Sequence, residues 1–471
     1  MTTELWQRGA LELAAMIADG STTSVEVLDA HLTRVDEVNG HLNAVVRLLT
    51  DEARTAAEAA DAAVAAGAQL GAFHGVPISV KENIDLAGTP TTQGLAILAD
   101  AVADSDAPVV ARMRAAGAIP FARTNLPDLG LRIHTDSQLH GLTRNPWNPG
   151  VTAGGSAGGD ASALASGMSP CGSGNDIGGS LRNPAHCCGV ASIKPTTGVV
   201  PMATVIPPLD RMLSSQLMLA EGPMARRVAD VRAGLEIMAG IDSRDPNSLP
   251  VMLRRPTAGQ PLRIAVLADP PGGSTDPGIA GVIRSAADHL AAAGHQVTEA
   301  TPPLYEESLQ LWAALLMADL RAQRELLDMV IGEAGKHVLD NLDAKVPAMD
   351  TAEVLNIHPM RFAMMRAWSK FFTEYDLIIT PTWAHRAFAH DADLDPEFGD
   401  MLLETFRPVL PANLLGLPAA VVPGGVAEGL PVGVQVIGER FSDLICLDAA
   451  EQIEAAVGAI TPIDPVLTHP V

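Results

Sequence analysis

Between Gly154 and Arg182 the chain reads GGSAGGDASALASGMSPCGSGNDIGGSLR, and no other stretch restricts its folding so tightly. Pro146, Pro149 and Gly150 break the chain just before it. Gly159 to Ser166 then reads as helix, which puts Ser156 in the turn at a helix N-terminus. Ser180 follows two glycines, Gly178 and Gly179, whose freedom lets the backbone turn so that several N–H groups converge. A serine in such a turn has the makings of a nucleophile with donors beside it. It still needs a base, because a hydroxyl is a poor nucleophile until its proton is removed.

Upstream, Lys81 sits in the apolar segment GVPISVKENID. Of the 31 basic residues only Lys81, Lys194, Lys336, Lys345 and Lys370 are lysines. Where a lysine lies among apolar residues, arginine could not replace it as a base, since a guanidinium does not deprotonate in a protein. Desolvation lowers a lysine toward neutrality, as a base near pH 7 requires. An ion pair of Lys81 with Glu82, Asp85 or Asp176 is the plain structural alternative, and Lys194 in SIKPTTG competes for the role of base.

Other readings of the glycine-rich stretch fare worse. A phosphate loop needs a Gly-Lys-Ser/Thr ending, and no lysine follows either glycine cluster. A dinucleotide fingerprint needs GxGxxG directly after a strand, with an acid about 20 residues on. Gly154 to Gly158 does match GxSxG, a nucleophile elbow that would require His and Asp partners; His186, His289, His295 and His385 are available. The segment HRAFAHDAD, with His385, His390, Asp391 and Asp393, has a metal-like look, but a solvated loop is the expectation there.

The segments Lys81 in GVPISVKENID, Ser156 in GGSAGGD and Ser180 in GNDIGGSLRNPA together resemble the amidase signature family. The likeness runs from LAAMIADGSTTSVEVLDAHLTRV near the start to NLLGLPAAVVPGGVAEGLPVGVQVIG near the end. The resemblance implies a Ser–cis-Ser–Lys triad: Ser180 the nucleophile, Ser156 the relay after a cis peptide bond, and Lys81 the base. It implies oxyanion donors in the backbone N–H groups of Ile177, Gly178, Gly179 and Ser180. Asp176 and Arg182 flank that loop and are expected to pair and brace it. Two positions depart from the family pattern. Ala157 stands where a second serine is frequent, which leaves Ser156 as the sole relay candidate. Asn175 stands five positions before the nucleophile, where threonine or serine is usual, and can still donate and accept.

The remaining sequence sets the frame. Hydrophobic residues make up 47% and charged residues 18%, a globular balance. The net charge of −24 argues against a nucleic-acid backbone or an anionic membrane as partner. No signal segment or membrane span is expected, and Cys171, Cys187, Cys188 and Cys446 fit no zinc spacing, so reduced thiols in the cytoplasm are anticipated.

A capping box, Thr23 to Glu26, opens a helix over 23–38, and an alanine-rich helix covers 51–67. Val76 to Val80 reads as a strand leading into Lys81. Leu262 to Ala268, Gly278 to Ala293 and Gln296 to Ala300 form a βαβ-like unit. Asp376 to Thr380, Ala419 to Val422 and Val432 to Ile437 read as strands, and 304–374 as mostly helical.

The expectation is an α/β fold: one large α/β/α domain over 1–471 with a central mixed, twisted sheet covered by helices. Residues 1–70 would form an N-terminal helical region, 71–240 the catalytic core, and 304–374 a helical segment shaping the pocket. Asp242 to Pro261 is the best candidate for a break. The resemblance implies hydrolysis of amide, aryl amide or carbamate C–N bonds through an acyl-enzyme, with no cofactor or metal and a small-molecule substrate, and it leaves a homodimer open. The alternative is the glutaminase-type component of a tRNA-dependent amidotransferase, which needs partner subunits. Pocket walls are expected from 125–140, 200–215 and 304–390, including Trp312, Trp383 and Met360.

Overall fold

The computed structural model describes residues 4–467 apart from 251, 256 and 258. Part of the candidate break at Asp242 to Pro261, and both ends of the 1–471 span, lie outside the described residues. In chain order the strands are β1 (Val45–Leu48), β2 (Pro77–Lys81), β3 (Ile119–Thr124), β4 (Asp136–Ser137) and β5 (Gly141–Leu142). They continue as β6 (Cys171–Asp176), β7 (Ala191–Lys194), β8 (Ala220–Ala225), β9 (Arg263–Val266) and β10 (Gln296–Glu299). The last three are β11 (Leu377–Pro381), β12 (Ala419–Ala427) and β13 (Leu430–Gly438).

Eight strands form one mixed sheet in the order β10-β9-β11-β13-β12-β7-β8-β6. The β10–β9 and β9–β11 pairs are parallel, and every other pair is antiparallel. Alternation explains why helices cover both faces. Ile379, Val422, Val434 and Val436 enter a core under the helices Val228–Met238, Pro277–Ala292 and Asp443–Val457. Their neighbours Ile378, Val421 and Ile437 point the other way, into a second core with Leu181, Trp312, Trp368 and Trp383. The α/β class and mixed sheet are as expected.

Strands β1, β3 and β2 make a separate three-stranded sheet. Strand β2, PISVK, is buried at every position, and its last residue, Lys81, lies in register with Thr124. The capping box forms as read: Thr23 accepts from the Glu26 N–H, and Glu26 reaches back to the Thr23 N–H at 3.0 Å. The helical segment resolves into Tyr305–Ala322, Arg324–Val330, Glu333–Lys345 and Thr351–Phe371.

Candidate active site

The ends of β2 and β6 bring the sequence candidates together. Lys81 closes β2 with 0% exposure, and its Nζ donates to Ser156 Oγ at 2.8 Å and to Asn175 Oδ1 at 3.0 Å. Burial drives the Lys81 ammonium from 10.5 down to about 7, against the opposing pull of Asp160, Asp176 and Glu221. Neutral lysine is therefore accessible near pH 7. The ion pairs imagined for Lys81 with Glu82 or Asp85 do not form: Glu82 instead accepts from Thr92 at 2.5 Å and faces His140 Nε2 at 2.5 Å.

Ser156 follows a cis peptide bond from Gly155 and precedes the helix Gly158–Ala165. The Ala157 N–H donates to the Ser180 carbonyl at 3.2 Å, which ties the two serine turns side by side. Both serines line one cavity of about 410 Å³, and Ser180 is 7% exposed to it. The arrangement can move a proton between Lys81 and Ser156 and present Ser180 to a ligand. No histidine lines this cavity among the described residues. His186 is instead buried, accepts from the Gly433 N–H at 3.0 Å and is held neutral by burial at about 3, so the elbow reading lacks its base.

The loop before Ser180 is held from below. Asp176 and Arg182 are both fully buried and meet in a two-pronged pair, Nε to Oδ2 at 2.9 Å and Nη2 to Oδ1 at 2.9 Å. Burial alone would push the Asp176 carboxyl up, yet Arg182's charge and the hydrogen bonds of Arg182 and Asn413 hold it at about 2. Arg182 also donates to Gln435 Oε1 at 2.6 Å, Asn413 Oδ1 at 2.5 Å and the Val409 carbonyl at 2.9 Å. Replacing Arg182 by Met should leave Asp176 buried and unpaired. The expected cost is about 3–5 kcal/mol, read as a lower urea midpoint, with activity falling alongside.

One expected oxyanion donor is turned elsewhere. The Gly179 N–H points to Asp176 Oδ1 at 2.8 Å, so it serves the brace. The N–H groups of Ile177, Gly178 and Ser180 make no such bond and remain the candidates. Gly179 sits at φ +93°, where a side chain is strained, and a Cβ on Gly178 would lie 2.7 Å from the Trp312 ring. Trp312 Nε1 donates to the Ile177 carbonyl at 2.8 Å, fixing that loop from the substrate side.

All three expected segments contribute to the cavity wall: Leu131 and Arg132, then Met202 and Ile206, then Trp312, Leu316 and Leu339. Two expected pocket residues do not. Trp383 is fully buried, stacking on Phe388, and Met360 is 50% exposed on the outer surface. The HRAFAHDAD segment is not a solvated loop throughout. Asp393 is 1% exposed and pairs with buried Arg132 at 2.7 Å, and Asp391 joins at 2.8 Å. The arginine, distant in sequence, gives that acidic run its place.

Sequence reasoning missed Asp160, Asn413, Gln435 and Glu221. Asp160 is fully buried, accepting from Ser79 Oγ of β2 at 2.9 Å and Thr124 Oγ1 of β3 at 2.5 Å. Its only signal was an acid inside a run of small residues. Lys194, the rival base, is buried and lowered by burial to about 7, but its Nζ donates to the adjacent Pro195 carbonyl at 2.8 Å, and the residue is not among the described residues that line the cavity.

Known proteins share both the sequence pattern and the fold. The family model described as Amidase matches residues 26–447. The chain is 40% identical over 459 residues to an indoleacetamide hydrolase of Bradyrhizobium diazoefficiens, covering 97% of this chain and 88% of that protein. It is 33% identical over 463 residues to an acylamidase of Rhodococcus erythropolis, covering 95% and 94%. Among solved structures, 6-aminohexanoate cyclic dimer hydrolase in complex with substrate superimposes with a TM-score of 0.82 at 27% identity, covering 99% of this chain and 100% of that one.

Proposed function

The chain belongs to the amidase family and is an enzyme that hydrolyses amide C–N bonds, and we propose that it does so through Ser180, Ser156 and Lys81. The observation that carries this reading is the buried 2.8 Å contact between Lys81 Nζ and Ser156 Oγ, opening on the cavity that Ser180 lines.

Neutral Lys81 takes the Ser156 proton while Ser156 takes that of Ser180, whose Oγ bonds to the amide carbon. The oxyanion is met by the N–H groups of Ile177, Gly178 and Ser180. As the intermediate collapses, the C–N bond breaks and the relay returns a proton to the leaving nitrogen. Water then attacks the acyl-enzyme, giving up a proton through the same relay, and the acid leaves with Ser180 restored.

The wall of the cavity favours an apolar, aryl-bearing amide. Trp312, Leu316, Leu339 and Phe406 supply flat and branched apolar surface. By contrast, a free carboxylate such as that of glutamine meets, among the described cavity-lining residues, only cations that already face acidic side chains. Of the two lining arginines, Arg132 gives Nε and Nη2 to Asp391 and Asp393 and holds Nη1 at 3.8 Å from Asp136, and Arg211 pairs with Asp245 at 2.5 Å. This favours a free-standing amidase, acting on a small molecule without partner subunits, over the amidotransferase component. Carbamates fall within the same chemistry. The four cysteines are free and buried, which supports a cytoplasmic setting, and no described helix is long and apolar enough to cross a membrane.

The test is a panel of aryl amides, aliphatic amides, carbamates and glutamine with the purified chain alone. Turnover is expected to be highest for aryl amides, with glutamine left untouched. Glutamine turnover that appears only with added partner subunits would overturn the reading.

A further inference from the structure

Of the four carboxyl residues in the cavity wall, Asp85, Asp210, Glu221 and Asp393, two are buried with an oxygen left unpaired. Glu221 lies on β8 directly opposite Asn175 of β6, so the two side chains share a face of the sheet. It is 5% exposed, lines the cavity with Ser180, and its Oε2 is buried without a hydrogen-bond partner. Asp85, in the turn after Lys81, is 2% exposed and lines the same cavity. Its Oδ2 accepts from the Val205 N–H at 2.6 Å, while its Oδ1 has no partner.

Burial pushes the Glu221 carboxyl up to about 8; Arg211 opposes that and Asp85 adds to it. Arg211 is itself spent on Asp245 at 2.5 Å. A buried carboxyl oxygen without a donor carries the full cost of its lost water. A buried polar group left unpaired in this way calls for a partner, and in the cavity that Ser180 lines a ligand can be that partner. Both orphan atoms are carboxyl oxygens, so a partner that brings a donor satisfies them, and a donor bound at Glu221 favours its ionised form against the burial that raises it to about 8.

We propose that Glu221, supported by Asp85, is a specificity-determining residue that accepts a hydrogen bond from a nitrogen-borne donor on the non-reacting part of the substrate. Amides carrying such an N–H group are then preferred over isosteres that lack it. The inference rests on the amidase reading of the Ser180 site. The donor has two sources, a neutral ring N–H or an ammonium group, and substrate pairs separate them.

The first pair is indole-3-acetamide against benzothiophene-3-acetamide. The second is 3-(aminomethyl)phenylacetamide against 3-ethylphenylacetamide. The quantity read is the ratio of kcat/KM within each pair, for the wild type, Glu221→Gln and Glu221→Leu. In at least one pair the wild-type ratio should be about tenfold or more in favour of the donor. Glu221→Leu should bring that ratio close to one. Glu221→Gln keeps an acceptor oxygen but no charge, so it should preserve the ratio of the ring N–H pair and lose that of the ammonium pair.

A structural role for Glu221, or one confined to tuning Lys81, would slow both members of a pair alike and leave the ratio where it was. Wild-type ratios near one in both pairs overturn the proposal, as does a ratio that survives Glu221→Leu. Should Glu221→Leu fail to fold, the wild-type and Glu221→Gln ratios decide. An ammonium preference that outlives the loss of charge in Glu221→Gln, or a ring N–H preference abolished although the acceptor remains, likewise overturns it. If the wild type hydrolyses none of the four amides while turning over other amides, the aryl-amide reading of the cavity has failed instead.

Discussion

Ser180→Ala should lower turnover by at least about 10⁴-fold and abolish covalent labelling by a fluorophosphonate. Ser214 and Ser215 also line the cavity, but among the described residues no lysine or histidine is hydrogen-bonded to either hydroxyl. Ser156 is held by Lys81 at 2.8 Å, and the four cysteines are buried away from the cavity with their thiols pushed up by burial. The Ser180 hydroxyl makes no bond in the brace, which runs through Asp176, Arg182 and the backbone of Gly179 and Leu181. The variant should therefore melt close to the wild type. Labelling that persists in a folded Ser180→Ala protein would mean that the nucleophile is a different residue.

Lys81→Met should reduce kcat/KM by about 10³-fold or more and remove one limb of the pH profile. The active form of the base is the neutral amine, and burial brings its ionisation down to about 7. Wild-type activity should therefore rise as pH climbs toward 7 and level off above it, whereas the variant should show no such rise. Stability gives an independent sign. Between about 7 and 10.5 the unfolded chain holds a proton on Lys81 that the folded chain does not. Folded stability therefore increases with pH across that window, and the lysine is a net cost at pH 7. Lys81→Met should then melt no lower than the wild type at pH 7, separating loss of the base from loss of the fold. Lys194 supplies the control, since it is equally buried and also lowered to about 7 but lies off the cavity. Lys194→Met should keep most of the activity. A wild-type pH limb retained in Lys81→Met would reassign the base.

The elements with clear periodicity or capping were legible in the sequence, and those built from small residues were not. Leu377–Pro381 and Leu430–Gly438 declare themselves through branched residues, and the helix at Ser24–Leu42 through its capping box. Strands β6 and β8 read CGSGND and AEGPMA, buried throughout or nearly so. Glycine, alanine and proline carry no period-two signal there, because close packing on both sides replaces side-chain alternation. Strand β1 was missed for a related reason. It is short, half exposed, and exists because β3 offers it an edge.

The site divides in the same way. Lys81, Ser156 and Ser180 stood out because each has an unusual local setting. Asn413 and Gln435 are ordinary amides in their own segments and gain meaning only where Arg182 reaches them. Glu221 was hidden in the segment AEGPMA, with nothing nearby in sequence to show that β8 would set it opposite Asn175 of β6.

The brace beneath Ser180 has a consequence for how the chain comes to its folded form. Arg182 is satisfied by side chains that the ribosome delivers more than two hundred residues later, on the helix Leu410–Leu415 and on β13. While Asn413 and Gln435 are still unmade, a nascent chain lacks the partners that hold Arg182, so the Ser180 loop can reach its braced geometry only after both have been synthesised.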